Sequence, residues 1–151
     1  MDQSSIMEIL HARLGDRIDE FILPPPVFEL MHAELLDFDP DSGQLKIRFP
    51  VLEQYLNPYG VMQGGMVAAA VDNTLGPLSM LVAPPNVTRT LDMKFSQPVN
   101  LDLENIIVEA KLLERAGRRL KFSAEVRDQS GRLLARARAL HWILEMEQGN
   151  L

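Results

Sequence analysis

The sequence predicts one α+β domain in which an antiparallel sheet of five to six strands curls around a single long apolar helix, with an extra helix at the N-terminus. Three observations carry this. Apolar and polar residues alternate with period two in segments on both sides of the middle of the chain. Between them lies one apolar, helix-like run from Gly65 to Pro85. Small residues, Ala68, Ala69 and Ala70 in that run and Ala135, Ala137 and Ala139 in the last strand, permit helix and sheet to approach closely.

The elements follow in order. Ser5-Ile6-Met7-Glu8 reads as a capping box, Ile6, Ile9, Leu10 and Leu14 keep helical spacing, and Gly15 is a stop. Pro24-Pro25-Pro26 is unsuited to a helix interior and is expected to be an extended connector. We therefore expect a helical extension over residues 1–23, a connector over 24–29 and the core over 30–147, all within one domain. After the Pro40-Asp41-Ser42-Gly43 turn, Leu45, Ile47, Phe49 and Val51 alternate with Gln44, Lys46 and Arg48. Beyond the apolar helix, Leu91, Met93 and Phe95 alternate with Thr90, Asp92 and Lys94. Leu120, Phe122, Ala124 and Val126 form another such face, and Leu133, Ala135, Ala137, Ala139 and Ile143 the last. Each strand has one apolar face, as in antiparallel sheet covered on one side.

Composition narrows the function. A chain of 151 residues with 46% apolar and 24% charged residues can bury a core. Its net charge of −6 argues against a nucleic-acid partner, which needs a basic footprint. Without cysteine there is no disulfide, thiolate nucleophile or thiolate metal site. The N-terminus lacks a basic region followed by an apolar one, so no secretory signal is expected, and the setting is expected to be cytoplasmic. The apolar run contains Asp72, Asn73 and Pro77, which favours a buried helix over a membrane span.

The stretch NPYGVMQGGMVAAAVDNTLG holds the candidate site. Asn57-Pro58-Tyr59-Gly60 is a turn, and Gly64-Gly65 opens the helix. The glycines either permit tight packing or leave backbone N–H groups uncovered, as an oxyanion hole requires. Asp72 lies seven residues beyond Gly65, on the same helix face but about 10 Å further along the axis. One helix cannot bring both to one reacting centre; two antiparallel helices across a two-fold axis can. Asp72 either bonds a neighbouring hydroxyl or faces solvent, or it lies buried in apolar surroundings and serves as general base or nucleophile.

Asn57, five residues, Gln63-Gly64-Gly65, six residues and Asp72-Asn73 resemble the signature of hotdog-fold acyl-CoA thioesterases, of the phenylacetate-pathway and thioesterase-superfamily-member-2 type. The segment Thr88 to Pro98 supports the resemblance, which covers roughly residues 30–145. It implies the hydrolysis of an acyl-CoA thioester without a cofactor or metal. Asp72 would be the general base or nucleophile, Gly64 N–H would polarise the carbonyl, and Asn57 and Thr88 would position the nucleophile or thioester. Met62, Gln63, Gly65 and Asn73 are the expected substrate contacts. The family assembles as dimers or dimers of dimers with shared sites. The chain departs from the pattern at Gln63, where the family usually has a histidine, and at Pro77, which removes a helix bond beyond Asp72.

Other candidates are weaker. His11, His32 and His141 lie far apart, without ligand spacing, and are read as partly exposed structural residues. Met62, Met66, Met80 and Met93 either line an adaptable acyl pocket or fill the core. Arg115, Arg118, Arg119, Arg136 and Arg138 either bind coenzyme A phosphates or solvate a sheet face. A non-catalytic acyl-thioester binding protein and an enoyl-thioester hydratase are the alternative functions.

Overall fold

The computed structural model describes residues 3–145, with side chains from residue 6 onward. Its elements are α1 (Gln3–Leu14), a 3-10 turn (Gly15–Glu20), α2 (Pro26–Leu30), β1 (Glu34–Asp39), β2 (Gln44–Pro50), α3 (Gly64–Val82), β3 (Asn86–Phe95), β4 (Asn105–Ala116), β5 (Arg119–Arg127) and β6 (Leu133–Ile143). The expected end of the core at residue 147 and the first two residues of the extension lie outside the described residues.

Two local readings are corrected. Ser5 already lies inside α1, so Ser5-Glu8 is not that helix's capping box. The proline run is extended only through Pro25 (φ −62°, ψ 137°), after which Pro26 takes the first position of α2. A proline there costs nothing, because the missing N–H would have had no helical partner. Gly15 ends α1 as expected, with φ +55° that suits glycine.

The strands pair antiparallel into one six-stranded sheet in the order β1-β2-β4-β5-β6-β3. Alternation puts Leu45, Ile47 and Phe49 of β2, Leu120, Phe122, Ala124 and Val126 of β5, and Ala135, Ala137 and Ala139 of β6 on the covered face. Against that face lie Val67, Ala70, Val71, Thr74, Leu75, Leu78 and Leu81 of α3. Each fully buried leucine there contributes about 1.5–3 kcal/mol. The helix runs unbroken through Pro77. By length and composition α3 is apolar enough to cross a membrane, yet half of it is buried in the protein.

The remaining stripe of α3 positions the site. Gly65 and Asp72 are exposed, and Ala68, Ala69 and Gly76 between and beyond them are half-buried. At one edge of the sheet β3 has no strand on its outer side. Val87 and Phe95 on it are 42% and 54% exposed.

Candidate active site

The expected site residues fall into two groups on the chain. Gly64 is the first residue of α3, with Gln63 as N-cap and no side chain capping the helix. The Gln63 carbonyl accepts from Met66 N and Val67 N, so the amides of Gly64 and Gly65 lie ahead of the first helical bonds. The positive end of the helix dipole adds to them. A Cβ on Gly64 would lie 3.2 Å from the Phe95 ring, whereas Gly65 faces open space. Asn57 fixes the approach: its Oδ1 accepts from Tyr59 N at 2.9 Å and Val61 N at 3.3 Å. Asn57, Met62 and Gly64 line a cavity of about 380 Å³ with Phe95, Gln97 and Val99. Met62 is buried, and Gln63 is exposed and borders neither this cavity nor the next.

Asp72, Asn73 and Thr88 border a second cavity, of about 580 Å³. Thr88 Oγ1 lies 3.1 Å from Asp72 Oδ1, which its hydroxyl can reach as a donor. Asp72 is exposed on its own chain with a hydroxyl beside it, the first of the two local readings of this carboxylate. Asn73 is buried, and its Nδ2 donates to the Val27 carbonyl at 3.1 Å, tying α3 to α2. Apart from Asp72, Asn73, Ser79, Asn86, Thr88 and His141, the cavity lining is apolar. Ile6, Met7 and Leu10 of α1, Leu23 and Phe28 roof it, while Leu45 and Ile47 form part of its wall.

A bulge in β3 brings Thr88 to this cavity. Thr88 pairs with His141 and Thr90 with Leu140, which leaves Arg89 as the extra residue. Leu91 and Met93, opposite Ala139 and Ala137, set one parity for the covered face. Continued without interruption, that parity would turn Val87 and Arg89 inward. The extra residue switches it, so Asn86 and Thr88 face inward opposite Ile143 and His141.

His141 is the residue the sequence reading missed. It is 1% exposed, so the expected partial exposure does not hold. Its Nε2 lies 3.3 Å from Thr88 Oγ1 and its Nδ1 2.8 Å from Asn86 Oδ1. Its ring packs on Phe122, with centroids 4.8 Å apart. Burial pushes its pKa below the usual histidine value, against the opposing pull of the Asp72 carboxylate. The parity of Ala135, Ala137, Ala139 and Ile143 placed His141 on the inner face and was the signal available.

Residues 59–135, a little over half the chain, match the family model of the thioesterase superfamily. The chain belongs to the thioesterase superfamily. Thioester hydrolysis is the general activity of this group. A Saccharolobus solfataricus protein, provisionally named an esterase, is 25% identical over 120 residues, which is 78% of this thioesterase and 83% of its relative. A Ralstonia eutropha JMP134 structure, described as a phenylacetic acid degradation-related protein, is 23% identical. It covers 89% of this chain and 98% of its own with a TM-score of 0.75. The E. coli PaaI protein from the phenylacetic acid degradation operon is 13% identical over 94% of this chain and 95% of its own, also at 0.75. These likenesses establish the hotdog fold expected from the sequence.

The remaining candidates are dispersed over this thioesterase. Met80 borders the larger cavity and Met62 the smaller, while Met66 and Met93 border neither. The five arginines are exposed and border neither cavity. Arg118 is engaged with the Ile143 carbonyl and Glu145. Among the described residues no three His, Asp or Glu side chains gather into a metal-binding group.

Proposed function

We propose that the protein hydrolyses an acyl-CoA thioester as a dimer, or a dimer of dimers, in which each site joins the Asp72 cavity of one chain to the Gly64 turn of another. One observation carries this reading: the carboxylate and the free helix amides lie about two turns apart on the same chain, in separate cavities. Two copies of α3 packed antiparallel would bring each Asp72 to the other copy's Gly64. The small residues between them on the exposed stripe leave room for such an approach. The unpaired outer edge of β3, with exposed Val87 and Phe95, lies on the same side of the reading.

In this mechanism the thioester oxygen accepts from Gly64 N–H of the second copy, where the helix dipole favours developing negative charge. Asp72 takes one proton from a water while the water oxygen bonds to the carbonyl carbon. The tetrahedral intermediate then breaks its C–S bond, and the proton on Asp72 passes to the departing sulfur. The products are the free acid and coenzyme A. Direct attack by Asp72 through an anhydride uses the same groups. Thr88 positions the water, and Asn57 holds the turn that presents Gly64, with its Nδ2 directed to substrate. Met62, Gln63 and Gly65 would contact the thioester side, and Asn73 would support the acyl side through α2.

The acyl group occupies the larger cavity. Its volume of about 580 Å³ falls in the range of small-molecule sites, roughly 300–1,000 Å³. Among the described residues Asp72 is the one charged side chain lining it, so an uncharged, apolar acyl group is the fitting occupant. A panel of acyl-CoA thioesters, from short-chain through aromatic to long-chain, tests the reading with wild type, Asp72→Asn and Asp72→Ala. Wild-type turnover that both variants lose is expected. Equal turnover by all three removes Asp72 from the chemistry, and binding without turnover by wild type makes the protein an acyl-thioester carrier.

A further inference from the structure

We propose that His141 is a positioning residue that keeps Thr88 as a hydrogen-bond acceptor toward the attacking water. The inference rests on the hydrolysis by Asp72 and Thr88 set out above.

Four side chains, Asn86, His141, Thr88 and Asp72, form one hydrogen-bonded row. Asn86 Nδ2 lies 2.9 Å from the Pro84 carbonyl and 3.4 Å from the Ser79 carbonyl. Carbonyls only accept, so the amide nitrogen faces them and Oδ1 faces His141. Oδ1 also only accepts, so His141 Nδ1, 2.8 Å away, carries the hydrogen. In the neutral ring Nε2 is then a bare lone pair, 3.3 Å from Thr88 Oγ1. Thr88 has one hydroxyl proton and two acceptors in reach, Nε2 and Asp72 Oδ1 at 3.1 Å.

The direction of that proton decides what a water meets. When Thr88 donates to Nε2, its oxygen lone pairs face the Asp72 side. A water placed there finds two acceptors, the Asp72 carboxylate and Thr88 Oγ1, for its two protons. Its own lone pair is then left for the carbonyl carbon, the geometry that hydrolysis requires. Without an acceptor at position 141 the Thr88 proton turns to Asp72. The base is then occupied by a neighbour, and the water loses one of its two anchors.

A protonated His141 has the same effect, because both ring nitrogens donate and Thr88 must accept from Nε2. The site therefore needs the neutral ring, which burial favours. The groups around His141 agree. From α3 it faces Asp72, from β3 Asn86 and Thr88, and from β5 Leu120 across the register and Phe122 against the ring. Asp72 is the one charged group among them. The bulge at Arg89 fits the same use, since it is what turns Asn86 and Thr88 inward to meet this histidine.

The test uses the full chain and two variants, His141→Leu and His141→Gln, with a thioester that wild type turns over. Leucine removes the acceptor. Glutamine offers an oxygen to Thr88 and an N–H to Asn86 but does not titrate near neutrality. For His141→Leu we expect kcat to fall about tenfold, the scale of one well-placed hydrogen bond, with KM unchanged. For His141→Gln we expect kcat to recover most of the loss and the acid limb of its pH profile to move to lower pH. The nitrogen-15 shifts of the wild-type ring should report the Nδ1–H tautomer. A wild-type kcat in His141→Leu, an unmoved acid limb in His141→Gln, or an Nε2–H tautomer each overturns the inference. Should His141→Leu fail to fold, the His141→Gln profile and the tautomer still decide. Failure of wild type to hydrolyse any thioester overturns the proposed function itself, a result distinct from an active wild type indifferent to position 141.

Discussion

At its first turn α3 offers backbone amides beneath Phe95; two turns on, the same exposed stripe offers a carboxylate tied to Thr88. Among the described residues the cavity at the first turn is lined by no titratable side chain, whereas the other holds Asp72 and His141. In the proposed mechanism one end therefore supplies fixed dipoles, which work at any pH, and the other supplies proton transfer. The division explains why the sequence spends glycines at one end and a polar cluster at the other. In the proposed mechanism neither end, alone on one chain, is a complete site for thioester hydrolysis.

The largest effect should come from breaking the proton-transfer end. Asp72→Ala should lower kcat by about 10³–10⁴, the upper range for loss of a general base. The change lies at an exposed position, so the melting temperature should stay near that of wild type. Thioester turnover by stopped assay and thermal denaturation measure the two. A large loss of both would mark Asp72 as structural instead.

The dipole end is tested by removing one N–H without disturbing the helix. Gly64→Pro does this, because proline is favoured at the first helical position. Gln63 already has φ −58° and ψ 138°, the extended geometry that a following proline demands. The Phe95 ring is exposed and meets that Cβ with its far end, so it can yield the few tenths of an ångström required. We expect kcat to fall about 10²–10³-fold, as for loss of one oxyanion donor. The pH profile should keep the wild-type shape, since no titratable group borders that cavity. A changed shape would show that the two ends are not chemically separate.

How far each end was legible follows from the same contrast. Alternation in β2, β5 and β6 marked the covered face because each strand has one wet and one dry side. The glycine pair and Asp72 were legible from spacing, since helical geometry fixes what shares a face. The bulge at Arg89 was not, because a shift of pairing by one residue leaves no mark in composition. Thr88 was thus placed by resemblance alone, and its two neighbours Asn86 and His141 were passed over. The polarity of His141 concealed a parity that its alanine neighbours announced. The proline run was misread at Pro26 because extended and first-turn prolines share nearly the same φ. Local reasoning left Asp72 either exposed or buried, and on a single chain it is exposed.

The separation of the two ends can be tested directly by mixing. In a purified heterodimer of one Asp72→Ala chain and one Gly64→Pro chain, one shared site carries both defects and the other carries neither. If each site draws its two ends from two chains, activity should recover to about half that of the wild-type dimer. If each site lies within one chain, both sites are damaged and activity stays at the level of the parents. Differently tagged chains, co-expressed and purified through both tags, make the comparison clean.

The smallest effect distinguishes the ends by stability. The buried His141 holds a pKa below its ordinary value of 6.5, so the fold favours the neutral ring. The unfolded chain takes up that proton first as pH falls, which draws the equilibrium toward unfolding. Stability from this group is therefore complete above pH 6.5. It declines as pH falls toward the folded-state value and levels off once both states are protonated. One proton limits the slope to about 1.4 kcal/mol per pH unit. Urea midpoints of wild type and His141→Gln, followed from about pH 8 to 5, should diverge on the acid side because glutamine carries no such proton. The same divergence should survive in the Gly64→Pro background, where the dipole end is altered and the proton-transfer end is intact. Parallel curves for wild type and His141→Gln would mean that the buried histidine does not titrate in this range.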